Sequence, residues 1–505
     1  MRNNLVKIVA VLLLLVFSFG FVEAQAEDVL KVAKDQSAVG FDPHLVPAAS
    51  SIQVYQHIYN GLVDMDAEGN IVPELAKNWR MIDEKTYEFD LHEGVKFHNG
   101  REMTSEDVKY SFERILNPDT SSIAQSYFTM VKEIKTPDKY TVVFELEKPF
   151  AGFLTNVAHV WAAVVPKEVV EENGDLKQAA CGTGPFKLED WSPDEHSILV
   201  KNEDYFEEGL PKVDKIEFLV MKDESARIAA LRSGQVHLSS ITPDGAEILK
   251  NQKNINVINY PSLNYTYAGF NTTKAPFDDP KVRLALSYAI DREEIAEIVY
   301  NGNASVTGPV PPPQKKWALP VDSYPSYGGS QIEKAKELLK EAGYEDGLEF
   351  TIKTSSTYDY MVDTALAIQN QLKKAGISTK IELVEWGTYI DAWVNTDHQF
   401  LVGLNGSGVT PDRALHFFFH TEGTANVWGF SNAEFDKLVE EARVTADYMD
   451  RSELYKKAQS MLVNELAPNL FLNAPYQFYA VNQDVEGFNP TALTGESVLK
   501  HVNLK

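Results

Sequence analysis

Residues 276–295 read PFDDPKVRLALSYAIDREEI. Asp279 followed by Pro280 marks a helix start. A short carboxylate there can accept from a free N–H of the first turn, and proline suits a position whose N–H has no partner. Val282, Ala285, Leu286, Ala289 and Ile290 then recur at three- and four-residue spacing, which predicts one buried face. The same logic places a helix after Thr104, with Asp107 in the capping-box position and Val108, Phe112, Ile115 and Leu116 on one face. It places another after Ser431, with Glu434 as its box partner ahead of Phe435, Leu438, Val439 and Ala442. A fourth helix carries Ala365, Ile368 and Leu372 and ends at Gly376. Between these lie strands: Tyr87, Phe89 and Leu91, and Tyr140, Val142, Phe144 and Leu146, each alternate with polar residues. The class is therefore α/β, or α/β mixed with α+β. Gly308-Pro-Val-Pro-Pro-Pro313 is the strongest breaker cluster and predicts an extended surface loop.

At 505 residues the chain is long enough for two to four domains. Its 47 Lys+Arg against 73 Asp+Glu leave a net charge of −26, and no basic patch interrupts it. A nucleic-acid partner is thereby excluded. Cys181 is the sole cysteine, so there is no intramolecular disulfide, no multi-cysteine metal site and no CxxC redox centre. It reads most simply as a small buried residue. Residues 1–26 have the layout of a secretory signal peptide: Arg2 and Lys7, an apolar run from Ile8 to Phe21, then small residues at Ala24 and Ala26. The run is shorter than the roughly 18–20 apolar residues of a membrane span. Cleavage is expected after Ala24 or Ala26. No cysteine lies nearby to take a lipid, so a free periplasmic protein is expected.

Enzyme signatures are missing. There is no GxSxG elbow (Asn405-Gly406-Ser407-Gly408 is a flexible Gly/Ser loop), no GxxxxGK[ST], no GxGxxG after a strand and no HExxH. His416 and His420 are four apart, but two ligands are too few for a metal, and Phe417, Phe418 and Phe419 beside them suggest packing. Glu171-Glu172 and Glu440-Glu441 read as solvated faces. No catalytic role, metal or other cofactor is expected. An exported hydrolase with a two-lobed cleft is the rival from another class, and no nucleophile–base set supports it.

Several stretches together resemble the large solute-binding proteins of ABC importers, the family with oligopeptide-, dipeptide- and nickel-binding members. They are Val72–Trp79 (VPELAKNW), Leu91–Gly100 (LHEGVKFHNG), Ser105–Pro118 (SEDVKYSFERILNP) and Gly182–Leu188 (GTGPFKL). Trp191, Asn202–Phe206, Pro276–Ile295, Ala335–Tyr344 (AKELLKEAGY) and Ala467-Pro468 follow in the family's order. The resemblance implies a two-lobed, periplasmic-binding-protein-like α/β fold of the large peptide-binder type, with an extra subdomain in the first lobe. On that reading residues 1–26 are the signal peptide. Residues 27–50, 180–262 and 475–505 form lobe I, 51–179 its subdomain, and 263–474 lobe II. The chain would cross between lobes near Ser262–Phe270 and Ala474–Val481. The implied role is to capture a small solute, by default a peptide, and deliver it as a monomer to membrane permease subunits. A sensory receptor would bind its ligand in the same way.

The resemblance also directs attention to the ligand contacts. Peptide binders of this family often hold the peptide ammonium with an Asp in a loop before a Pro-Asp-like pair. Aligning on Pro411-Asp412 puts Ser407 at that place. The loop that can carry an Arg for the carboxylate is Ser355–Tyr360 here, and it has none. Asp359 or Asp412 is a substitute for the missing Asp, and Arg413 offers a carboxylate fork or a structural ion pair. Tyr265 and Tyr267 at the first crossing, and Tyr358, Asn426 and Trp428 in lobe II, supply aromatic and neutral polar surface. Trp386 is expected in the core. The missing charged anchors make a neutral oligosaccharide or an amino-acid conjugate the second choice of ligand. Nickel is disfavoured, since no imidazoles cluster. The glycines of Gly182–Phe186 suit a tight turn, with a backbone facing the cleft as the sharper alternative.

Overall fold

The computed structural model describes residues 27–505. The expected signal segment, residues 1–26, lies outside them. Three principal sheets organise the described chain. The first has eight strands. Val29–Lys34 lies at its centre, parallel to both Lys215–Val220 and Leu238–Ile241. Asn473–Asn482 continues it, antiparallel to Leu238–Ile241 and Ile255–Pro261. The second sheet has five strands. Leu348–Ser355 runs parallel to Ile377–Val384 and Phe400–Gly406. Asn264–Phe270 then joins Phe400–Gly406 in antiparallel register. A four-stranded antiparallel sheet, Ala76–Leu146, forms a separate layer.

Each sheet has its own apolar core. Leu30, Val32, Phe41, Phe186, Ile216 and Leu238 centre the first. Phe89, Phe112, Phe144 and Phe153 centre the four-stranded layer, with Cys181 buried at its margin. Phe270, Val282, Leu286, Ile352, Ile368 and Phe400 fill one side of the second sheet. Tyr267, Leu401, Phe419, Trp428 and Phe471 fill the other. Val54, Tyr55, Ile58 and Tyr59, with Ala163, Val165, Val170 and Leu176, pack into the first core. They belong to the 51–179 stretch read from sequence as the subdomain.

The local signals act as their chemistry requires. Asp279 Oδ1 accepts from Lys281 N–H at 2.8 Å, and the helix Pro280–Ala289 follows. Thr104 N–H donates to the Asp107 carboxylate at 2.8 Å, closing the capping box. The helix Asp359–Lys374 stops ahead of Gly376, whose φ of +83° favours glycine. Two readings need correction. The cap near residue 431 is Asn432, which accepts from Glu434 and Phe435 N–H. Ser431 is diverted, because its hydroxyl accepts from Thr421 Oγ1. The run from Gly308 is not a surface loop in its first half: Gly308 to Pro311 are buried. Val310 lies in the second-lobe core, and a Cβ on Gly308 would stand 2.7 Å from Tyr324 Oη. Prolines carry no N–H, so burying them leaves fewer donors to satisfy.

The chain crosses from the first sheet to the second between Pro261 and Asn264 and returns at Leu472, between Asn469–Phe471 and Asn473–Asn482. The return comes just before the Ala474–Val481 stretch expected from sequence. The paired residues Asn264 and Gly406 share an edge of the second sheet with the carboxyl ends of its parallel strands, Ser355 and Val384. That edge therefore faces the first lobe. The carboxyl ends Lys34, Val220 and Ile241 share the edge from which Pro261 leaves. Two carboxyl edges thus oppose each other, the place where open α/β sheets bind ligands.

Candidate functional site

The second-lobe edge carries three loops. After Ser355 comes Tyr358, which is 39% exposed; after Val384 comes Trp386, which is 40% exposed. Trp386 is therefore not in the core as expected, because it opens the helix Trp386–Val394 at the sheet edge, where only one ring face is covered. That face stacks on Tyr389 with centroids 5.3 Å apart and planes 10° apart, while Tyr358 meets Trp386 edge-on at 5.1 Å. The result is a fixed aromatic plate open to solvent.

The third loop, Ser407–Asp412, is held from within. Ser407 is fully buried; its Oγ accepts from Gln314 Nε2 at 3.1 Å and donates to Gly408 O at 3.0 Å. Asp412 pairs with Arg443 Nε at 2.9 Å. Burial nonetheless pushes the Asp412 carboxyl above its ordinary pKa, against the pull of Arg443. Arg413 differs. Its Nε donates to Gly406 O at 3.3 Å and its guanidinium lies over Phe417 at 4.6 Å. No described carboxylate pairs with it, although the chain is strongly acidic. Gly408, at φ +67°, leaves room for the Arg413 stem, because a Cβ there would stand 2.6 Å from Arg413 Cδ.

Other residues singled out in the sequence lie inside the second lobe. Tyr265, Tyr267 and Trp428 are buried. Tyr267 Oη hydrogen-bonds Tyr389 Oη at 3.2 Å and packs edge-on against Trp428. Asn426 ties its own loop, donating to His420 O and Phe430 O. His416 and His420 stack 4.3 Å apart, with their Nε2 atoms beside Arg443 and Glu440 respectively. Among the described residues no group of three or more side chains is arranged to hold a metal ion.

A cavity of about 310 Å³ on the first-lobe side carries no mark in the sequence. His57, Asn60, Asp64, Glu74, His159, Trp161, Lys500 and Val409 line it, among others. Val409 alone among the lining residues comes from the second lobe. Pro185 also lines it, and the glycines before it pack closely on the backbone of Ile58, next to the lining residue His57. Gly184 N–H donates to Ile58 O at 2.9 Å, and a Cβ on Gly182 would stand 2.1 Å from that oxygen. The Gly182–Pro185 segment leads directly into the strand Phe186–Ser192, the place expected for a turn feeding a strand. Asn60 Nδ2 and Gly61 N–H donate to the Glu74 carboxyl at 2.6 and 2.8 Å. Burial and the neighbouring Asp64 raise the Glu74 pKa from its ordinary 4.5 to about 8. Burial also raises Asp64. Burial lowers His57 to about 3 and His159 to about 4, so both imidazoles are neutral at pH 7.

Because the folded pKa of Glu74 lies above the unfolded one, the folded state binds the extra proton between the two values. Stability therefore falls as pH rises from 4.5 towards 8. Replacing Glu74 by glutamine is expected to flatten this fall. Thermal melts of both proteins across that pH interval check it; parallel curves would refute it.

The sequence profile of the bacterial extracellular solute-binding proteins, family 5 Middle, matches residues 70–426. The chain belongs to this family of extracellular solute-binding proteins. The dipeptide-binding protein of Escherichia coli (strain K12) is 31% identical over 498 residues, covering 91% of both chains. The oligopeptide-binding protein AppA of Bacillus subtilis (strain 168) is 28% identical, covering 87% of this chain and 84% of that one. Among solved structures, the ABC transporter-associated periplasmic binding protein DppA from Helicobacter pylori, in complex with the peptide STSA, aligns with a TM-score of 0.76 at 30% identity. That alignment covers 96% of this chain and 99% of the other. This solute-binding protein therefore has the two-lobed fold of the periplasmic peptide binders. It serves an ABC transporter, and no described helix is long and apolar enough to cross a membrane.

Proposed function

We propose that this solute-binding protein captures a peptide between its lobes and presents it to the membrane permease of an ABC importer, with no bond made or broken. The observation that carries the reading is the opposition of two carboxyl sheet edges, one bearing the Tyr358–Trp386 plate and the unpaired Arg413. An aromatic plate suits side chains, and a guanidinium fork suits a peptide carboxylate. Peptide-binding relatives support the same choice. The reading divides the chain into 27–50, 180–262 and 475–505 opposite 263–474; the sheets support it, apart from Ala304–Val306, which pairs with Asn473–Pro475 of the first sheet. The packing of Val54, Tyr55, Ile58, Tyr59, Ala163, Val165, Val170 and Leu176 in the first core supports drawing the subdomain more narrowly than 51–179, at about 60–162. Export is assigned to the signal segment, cleaved after Ala24 or Ala26, with a periplasmic monomer as product.

Native mass spectrometry of the purified mature protein, followed by titration calorimetry with di- to pentapeptides, tests this. Saturable one-to-one binding without hydrolysis supports it. Catalytic release of fragments, or binding of sugars and of no peptide, would overturn it. Trp386→Ala is expected to weaken peptide binding by about tenfold or more. Its stability cost should not exceed about 1 kcal/mol, because the ring is half open to solvent. Calorimetry paired with denaturant unfolding separates the two effects.

A further inference from the structure

The first-lobe cavity lined by His57, Asp64 and Glu74 has an unbalanced charge inventory. Asp64 and Glu74 line it, and Glu207 stands behind them against Lys500. Lys500 Nζ is the one ammonium among the lining residues, and it is committed to Glu207 Oε1 at 2.6 Å. Tyr205 Oη donates to the same carboxylate oxygen at 2.7 Å. Arg413 acts on His159 from the second lobe but does not line the cavity. The two lining histidines are neutral, so the two lining carboxyls, Asp64 and Glu74, face one lining ammonium that Glu207 already holds. Glu74 accepts two hydrogen bonds, whereas among the described residues Asp64 accepts only from its neighbour Met65 N–H, at 2.7 Å. A second feature is independent of the acids. His57 lines the same cavity, is 1% exposed and stacks on Phe218, and its Nε2 has no partner among the described residues.

We infer that this cavity is a subsite for a cationic group of the ligand, an alkylammonium or guanidinium seated against Asp64 and Glu74, an inference that rests on the peptide-binding reading. The cation supplies the charge that the lining lacks. A buried carboxyl whose ionisation a neighbouring carboxylate opposes becomes a favourable site once a positive group stands beside it. The volume, at the low end of the about 300–1,000 Å³ typical of small-ligand sites, suits one side chain or one terminus rather than a whole peptide. Trp161 gives the alkyl part of such a group an apolar wall. The strongly acidic chain steers cations towards it. The elevated Glu74 pKa agrees with this, because it marks a carboxyl whose negative charge lacks a compensating cation.

The cation has two sources, the peptide's free terminus or a Lys or Arg side chain. Calorimetry on the mature protein with Ala-Ala-Ala, N-acetyl-Ala-Ala-Ala and N-acetyl-Ala-Lys-Ala distinguishes them. Tighter binding of the first than of the second, by about tenfold or more, assigns the terminus. The same gain of the third over the second assigns the side chain. In Asp64→Asn and in Glu74→Gln the gain is expected to shrink towards onefold. A further readout guards against a general loss of fold. At pH 7 the arriving cation ionises Glu74, so wild-type binding releases a proton to the buffer, and the heat varies with the buffer's ionisation enthalpy. Glu74→Gln abolishes that dependence. Equal binding of all three peptides, or a gain that survives both substitutions, would overturn the subsite while leaving peptide capture standing. Binding of none of the three, with no binding across the di- to pentapeptide series, overturns both.

Discussion

Asp42→Ala is expected to destabilise the protein by about 3–5 kcal/mol, the range for removing one member of a buried ion pair. Asp42 is fully buried, and Arg114 donates to its two oxygens at 3.0 and 2.7 Å. His44 N–H and Leu176 N–H donate to it as well. The carboxylate therefore joins the start of the first lobe, the helix Ser105–Leu116 and the segment that returns after the four-stranded layer. Alanine leaves the Arg114 guanidinium, itself nearly buried, without a counter-charge. Burial alone would raise the Asp42 pKa, but Arg114 outweighs it and holds the group below its ordinary 3.8. The contribution is therefore fully present above that pH and is lost as pH falls through the lower folded value. Urea unfolding at neutral pH measures the loss. A change below 1 kcal/mol would show that the pair contributes little beyond its own desolvation.

The second large effect is expected at Trp428. Truncation to alanine removes an indole that is wholly enclosed, and Trp→Ala in a core costs about 3–5 kcal/mol. The ring lies against the central strand Asn264–Phe270, so closely that a Cβ on Gly269 would stand 2.2 Å from it. Tyr267 and His398 meet it edge-on. The Trp428 carbonyl accepts from Thr272 N–H at 2.9 Å, which fixes the backbone and prevents the loop from collapsing into the hole. Peptide affinity of the still-folded variant should be largely kept. Unchanged stability with lost binding would instead make Trp428 a ligand contact. Together with Trp386→Ala, this variant separates the enclosed aromatic from the open one.

Those two tryptophans mark what a sequence can convey. Periodicity reports that a face is apolar, and so it located the helix Pro280–Ala289 and the strands around Phe89 and Phe144. It carries no information on which apolar residue the tertiary contacts leave uncovered. Trp386 follows a strand that ends at the sheet edge, and Trp428 lies under a strand some 160 residues earlier in the chain. Loop composition was similarly blind. Glycine and proline at 308–313 signal irregular backbone, but burial was decided by Tyr324 packing on Gly308. The cavity was illegible for a further reason. Its lining comes from six separated stretches, and Glu74 sits within a motif that only the family resemblance brought out. In an acidic chain no single carboxylate stands out until its neighbours are known. Ser407 was legible as a missing charge, whereas the Gln314 that fills its hydrogen bonds was not.

The two lobe crossings are not independent threads. Ser262 N–H donates to Pro475 O, Leu472 N–H to Thr266 O, and the Thr266 hydroxyl to Asn473 O. Tyr260 and Pro261 pair with Gln477 and Tyr476 on one side of the gap, and Tyr267 with Phe471 on the other. Mechanically this is one antiparallel ribbon passing through both bodies. A ribbon bends and twists readily, but sliding its strands would break every rung at once. The joint therefore behaves as a leaf spring with a fixed axis. The lobes can swing only along an arc, so each residue on one rim meets the same counterpart on the other at every closure.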